Sequence, residues 1–207
     1  MEMTAAADLG TSPVLDDASD LEEVMLALLC VDVVGFTQMT ERFGDRRSLA
    51  IMRRIGSLVS ETVRRHRGVG LEIRGDSFLL AFPSSRRAVS CAAAIQLELT
   101  RDAESHPSEA VEVRIAIHVG TVLREGAHYF GRNLILPFRL LSVTHAGQIS
   151  ISAAARRGLG ARWRSRLGRE RSFLPKGFKQ EVRFCRVDWD EAPRAATSFA
   201  QRRELPA

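Results

Sequence analysis

LLCVDVVGFT at residues 28–37 and LEIRGDSFLLAF at residues 71–82 each carry an aspartate, Asp32 and Asp76, at the end of a strand-like apolar run. A carboxylate at the tip of a buried strand is costly to hold unless a cation or a hydrogen-bond donor meets it. Two such tips side by side in one sheet make a clamp for two metal ions, an arrangement suited to phosphate chemistry. Working outward, Met25 to Val34 is one continuous apolar run, the pattern of a central strand covered on both faces. Gly35-Phe36-Thr37 breaks it into a loop. Ile51, Met52, Ile55, Leu58, Val59, Thr62 and Val63 then recur at helical spacing until Gly68 and Gly70 end the helix. Leu71 to Ile73 and Phe78 to Phe82 read as two strands joined by a tight turn at Arg74-Gly75-Asp76-Ser77.

Ser84 caps a second predicted helix whose apolar face is Ala88, Cys91, Ala92, Ile95 and Leu99. Val111 to Val119 alternates as a strand. Strand, helix, strand, strand, helix, strand is the order of the ferredoxin-like split βαβ unit, an α+β sheet with its helices on one face. Beyond it the pattern predicts a helix from about Asn133 to Thr144, a short strand at Gln148 to Ile151 and a closing strand near Val182 to Val187. The expected organisation is a tail at residues 1–20, one domain at 21–190 and a second tail at 191–207.

Composition narrows the classes. No run approaches the roughly 20 apolar residues of a membrane span, and no signal-peptide pattern opens the chain, so the expectation is a cytoplasmic protein without membrane contact. Cys30, Cys91 and Cys185 are widely spaced, which favours buried thiols over disulfides or a zinc site. The net charge of +5 is carried almost wholly by arginine, since Lys176 and Lys179 are the only lysines. The cluster Arg156, Arg157, Arg162, Arg164, Arg166, Arg169 and Arg171 has little aromatic interleaving beyond Trp163, so it reads as solvated surface and not as a nucleic-acid face.

From Leu28 to Val187 the chain resembles the catalytic domain of class III nucleotidyl cyclases, the adenylyl and guanylyl cyclase family. VDVVGFT resembles the first metal motif, RGDSFLLAF the second, VRIAIHVG the strand that follows, YFGRNLILPFRL the dimer-arm segment and FLPKGFKQEVRFCRV the closing hairpin. The resemblance implies two divalent ions, Mn²⁺ or Mg²⁺, held by Asp32, Asp76 and the Val33 carbonyl. It implies phosphate binding by the Gly35, Phe36 and Thr37 loop, whose free amides open a helix. Arg114 matches the arginine that contacts the triphosphate, Arg139 the one that stabilises charge at the α-phosphate, and Lys176 the lysine that grips the terminal phosphates. The family works as a dimer. One protomer would supply Asp32, Asp76 and Arg114, and its partner Glu72, His128, Arg139 and Lys176.

Departures from the family pattern bear on the base. Adenylyl cyclases read adenine with a lysine and an aspartate, where this chain has Glu72 and His128. A carboxylate facing adenine N1 repels where the lysine attracts, whereas Glu72 can accept from guanine N1 and N2, uracil N3 or the cytosine amino group. His128 reads equally as a loop residue. The family's asparagine, four residues before the transition-state arginine, is Ile135; losing a donor there costs on the order of 10²-fold in rate. Asn133 replaces it only if the turn is remodelled, for which Pro137 gives a means. These departures are similar to the pyrimidine cyclases of antiphage defence. The expected activity is therefore conversion of a nucleoside triphosphate other than ATP to a 3′,5′-cyclic messenger, cUMP or cCMP first and cGMP second, read by a separate cyclic-nucleotide-binding effector. The rivals are a pseudocyclase that binds or dimerises without turnover and, last, a diguanylate cyclase or polymerase palm, whose Gly-Gly-Asp-Glu-Phe signature is absent.

Overall fold

The computed structural model describes residues 21–190, so the tails assigned to 1–20 and 191–207 lie outside the described residues. The chain runs β1 (Leu21–Val33), α1 (Phe36–Phe43), α2 (Asp45–Arg65), β2 (Val69–Arg74), β3 (Ser77–Phe82), α3 (Ser85–Ser105), β4 (Val113–Glu125) and β5 (His128–Phe130). It continues through α4 (Arg132–Leu141), β6 (Ile149–Ser152), α5 (Ala153–Arg156), α6 (Ala161–Arg164), β7 (Arg171–Phe173) and β8 (Val182–Val187). The strands form one sheet in the order β2-β3-β1-β4-β6-β8-β7, with β5 paired to β4. β2-β3-β1-β4 is the split unit expected from the sequence, and β6, β8 and β7 extend it.

β1 is central because it can be buried on both sides. Leu29, Val31 and Val33 face the core built by Ile51, Ile55 and Val59 of α2 and Cys91, Ala92 and Ile95 of α3. The alternate residues Leu28 and Cys30 face the opposite side. There Leu140 and Leu141 of α4 pack on Cys30 and Ala116. The two helices of the split unit thus share one face, as expected, and α4 takes the other. Fully buried Ile115 and Ile117 of β4 anchor the first core. Truncating either to alanine would cost about 2–5 kcal/mol.

The differences from the sequence reading have local causes. Residues 36 and 37 are not loop but the start of α1, entered through Gly35 at φ 73 and left through Gly44 at φ 74. Phe36, Met39 and Phe43, three and four apart, pack that short helix on the core. β1 begins at Leu21 and not Met25, because Leu21 to Val24 pair with Val122 to Glu125 of an equally prolonged β4. Ser84 does cap α3, its hydroxyl accepting from the Arg87 amide. All three cysteines are free and buried. Burial pushes the Cys91 thiol up to about 12 and the Cys30 and Cys185 thiols upward as well. In the arginine cluster, Arg156 closes on Glu170 at 3.1 Å, as does Arg183 of β8, and the Arg166 guanidinium lies over Trp163. No helix among the described residues is long and apolar enough to cross a membrane.

Candidate active site

Asp32 sits at the end of β1 opposite Ser77 of β3 on one side and Arg114 of β4 on the other. Only 8% exposed, it is held by both neighbours. The Ser77 hydroxyl donates to Oδ1, and Arg114 Nε donates to Oδ2 at 2.7 Å. Arg114 Nη1 also donates to the Leu141 carbonyl at 3.4 Å, which places the C-terminal end of α4 beside the carboxylate. Asp76 lies in the β2–β3 turn behind Gly75 at φ 61. Its carbonyl accepts from the Val33 amide at 3.3 Å, locking the turn to the end of β1.

The two carboxyl groups feel each other. Burial first, and the Asp32 charge as well, push the Asp76 carboxyl above its ordinary value, against its own backbone hydrogen bond and the Arg114 charge. The donor set is hard oxygen, which suits Mg²⁺ or Mn²⁺ and excludes a thiolate-type zinc site. No group of three or more His, Cys, Asp or Glu suited to a metal occurs among the described residues, so oxygens of a bound phosphate would have to complete any coordination shell. Gly35, Phe36 and Thr37 lie just beyond Val33, at the N-terminus of α1, which has no side-chain cap. Arg114, matched by resemblance to a triphosphate ligand, is placed by the structure on Asp32.

Glu72 belongs to the same face, since it pairs with Leu79, which pairs with Cys30, two residues before Asp32. It is exposed, and its carboxylate accepts from Arg74 Nε at 2.6 Å. The Arg74 guanidinium lies 5.2 Å from the centre of the Phe138 ring on α4. Arg139, the next residue, is exposed in the last turn of that helix. Arg74 was missed in the sequence. The available signal was its spacing: two residues from Glu72 on a strand, the pair must share a face.

His128 and Lys176 are elsewhere. His128 pairs with Glu125, which pairs with Leu21, the far end of β1 from Asp32. Eleven residues of strand separate those ends, roughly 36 Å at about 3.3 Å per residue. Lys176 occupies the turn between β7 and β8, which leaves the sheet towards that same remote end, as the register Phe184 to Ser152, Ile151 to Ile117 and Ile117 to Leu29 requires. The residues after it, Gly177 to Glu181, line an open cavity of about 760 Å³ with His118, Asn133 and Ile135. One chain therefore brings together Asp32, Val33, Asp76, Gly35 to Thr37, Arg114 and, alongside, Glu72. It does not bring His128 or Lys176 to them.

Asn133 does not stand in for the asparagine missing at Ile135. Its Oδ1 meets His118 Nε2 at 3.1 Å and its Nδ2 donates to the Thr121 carbonyl at 2.7 Å, so the amide is turned against β4. His118, 6% exposed, has its Nδ1 2.9 Å from Ser152 Oγ. Burial pushes the imidazole below its ordinary value, and the nearby Arg132 charge adds to this, against the hydrogen bond to Asn133. Ile135 is 46% exposed.

A sheet with this strand order, a carboxylate pair at one end and α4 on the face above them defines a class III cyclase catalytic fold. The chain belongs to the adenylate and guanylate cyclase catalytic domain family, whose model it matches over residues 19–184. It is 27% identical over 129 residues to the putative adenylate cyclase 3 of Rhizobium meliloti strain 1021, covering 62% of this chain and 22% of that protein. The chain thus spans less than a quarter of that curated relative's length. The guanylyl cyclase Cya2 superimposes with a TM-score of 0.73 at 24% identity, covering 80% of this chain and 92% of that one. The adenylyl cyclase CyaB from P. aeruginosa does so with a TM-score of 0.72 at 20% identity, covering 84% and 97%. At these identities the superpositions establish the fold.

Proposed function

We propose that this chain converts a nucleoside triphosphate other than ATP to a 3′,5′-cyclic nucleotide and pyrophosphate, with a pyrimidine base ahead of guanine. The observation that carries the reading is the carboxylate pair: Asp32 stands at the end of β1, and the Val33–Asp76 backbone bond holds the turn that carries Asp76 against it. Asp32, Asp76 and the Val33 carbonyl would hold two divalent ions, which supply acidification of the ribose 3′-oxygen and neutralisation of the triphosphate. Gly35 lets the backbone approach the phosphates, and the α1 amides meet their oxygens. Arg114, paired with Asp32 here, would be free to meet the triphosphate if a cation took its place on the carboxylate.

The remote position of His128 and Lys176 supports a site shared across a homodimer, in which the partner copy brings Lys176 to the terminal phosphates and Arg139 to the α-phosphate. The exclusion of adenine rests on Glu72, an acceptor on an exposed face, and the order of pyrimidine before guanine on the departures shared with pyrimidine cyclases. A messenger read by a separate effector in antiphage signalling, within the cytoplasm, goes with the pyrimidine reading. A second reading, a pseudocyclase that binds nucleotide without turnover, is favoured by the exposed Ile135 and the engaged Asn133.

The test is incubation of the purified protein with Mn²⁺ and each of the four nucleoside triphosphates, with products identified by chromatography and mass. A cyclic pyrimidine nucleotide or cGMP is expected, absent in folded Asp32→Ala and Asp76→Ala variants. Binding without any cyclic product would hand the assignment to the pseudocyclase, and preferential use of ATP would overturn the base assignment.

A further inference from the structure

We infer that Arg74 is a specificity-determining residue, the donor half of a two-residue base reader whose acceptor half is Glu72. The inference rests on the cyclase reading above and deepens it. β2 is an edge strand, so Glu72 and Arg74 stand on its one face with side chains 42% and 62% exposed, open to a ligand or a partner copy. They are not loose. Arg74 Nε donates to Glu72 Oε1 at 2.6 Å, the guanidinium stacks over Phe138, and Phe138 is packed against the buried cluster of Cys30, Ala116 and Leu140. A ring fixed by the core orients the arginine, and the arginine orients the carboxylate.

The chemistry offered by the pair differs from that of Glu72 alone. A lone carboxylate only accepts, and the base edge that suits it best has two adjacent donors, N1–H and N2–H of guanine. Uracil N3–H, in contrast, is flanked by carbonyl oxygens that repel a bare carboxylate. With Nε committed to Oε1, Arg74 keeps its two Nη groups and Glu72 keeps Oε2, so an acceptor stands beside a row of donors. That pattern fits N3–H next to O4 of uracil and equally N1–H next to O6 of guanine. The carbonyl has two lone pairs for the Nη groups, where a ring nitrogen of cytosine or adenine has one. Arg74 thereby tips the reader towards the keto bases, uracil and guanine, over cytosine and adenine.

Equilibrium binding of 3′-deoxy nucleoside triphosphates, which lack the attacking hydroxyl, tests this without turnover. The wild-type protein with Mn²⁺ is expected to bind 3′-deoxy-UTP and 3′-deoxy-GTP more tightly than the cytosine and adenine analogues. Arg74→Met keeps the stem and removes the fork; it should weaken uracil and guanine binding roughly ten- to a hundredfold while cytosine and adenine binding changes less. Arg74→Lys, a point charge without the planar fork, should fall between. Inorganic tripolyphosphate should bind both variants as it binds wild type. An unchanged ratio of uracil and guanine binding to cytosine and adenine binding in folded Arg74→Met overturns the inference, as does an equal loss for every nucleotide and tripolyphosphate, which would mark Arg74 as merely structural. Base discrimination that tracks Arg74 in a protein yielding no cyclic product would sink the cyclase reading and leave this one standing. A wild-type protein that binds no nucleotide overturns both.

Discussion

Gly120→Ala is a small change with a large expected cost. A Cβ at residue 120 would lie 2.5 Å from Asn133 Nδ2 and 2.8 Å from Oδ1, too close for the amide to stay where it is. Moving it breaks the bond to His118 Nε2 and the bond to the Thr121 carbonyl. Water can replace the second, since Thr121 is exposed, so its loss costs about 0.5–1.5 kcal/mol. The first leaves a buried imidazole nitrogen without its acceptor, which costs about 1–3 kcal/mol. The sum, about 2–4 kcal/mol, is a large share of the 5–15 kcal/mol typical of a domain. Urea denaturation should show it as a midpoint lowered by roughly 1–2 M at unchanged slope. Asn133→Ala removes the same bonds, so the double variant should cost little more than either single one, a coupling of about 2–4 kcal/mol. Additivity within about 0.5 kcal/mol would refute the reasoning, because it would mean that residue 120 and Asn133 do not compete for one space.

Mixing an Asp32→Ala chain with an Arg139→Ala chain, under conditions where subunits exchange, should restore product from two inactive homodimers; mixtures that stay inactive would exclude a site built across two copies. The pH dependence of stability offers a second check. Burial lowers the His118 value, so the folded protein binds fewer protons than the unfolded chain between that lowered value and about 6.5. The contribution of neutral His118 is complete above about pH 6.5 and is lost as the pH falls below it. His118→Gln should flatten the fall of the urea midpoint between pH 6.5 and 5. His66, also lowered chiefly by burial, supplies what slope remains, and a slope untouched by the substitution would contradict the burial account.

The sheet was largely legible from periodicity, because burial dictates it. The doubly covered β1, the turn at Gly75-Asp76 and the closing strand at Val182–Val187 all follow from where apolar residues begin and stop. α1 was not, since an eight-residue helix with no fully buried side chain leaves only a three-residue apolar trace. β5 and β7, three residues each, owe their existence to neighbours and not to their own composition. In the site, the meeting of Asp32 and Asp76 could be read from two strand tips. Partner choice across strands could not: Arg114 takes Asp32 through the β1–β4 register and reach, which linear spacing does not encode, whereas the Glu72–Arg74 pair two apart on β2 was there to be read.

If the site is shared between two copies as proposed, the separation of Asp32 from His128 along β1 has a consequence for dosage. A reaction centre divided between two copies works only in the paired state. When most chains are single, the number of pairs grows with the square of their number, so doubling the amount of protein quadruples the output. When nearly all chains are paired, output is merely proportional. The association equilibrium then acts as a concentration threshold: leaky expression stays quiet, and a burst of synthesis or a local gathering of chains turns the signal on with no ligand required.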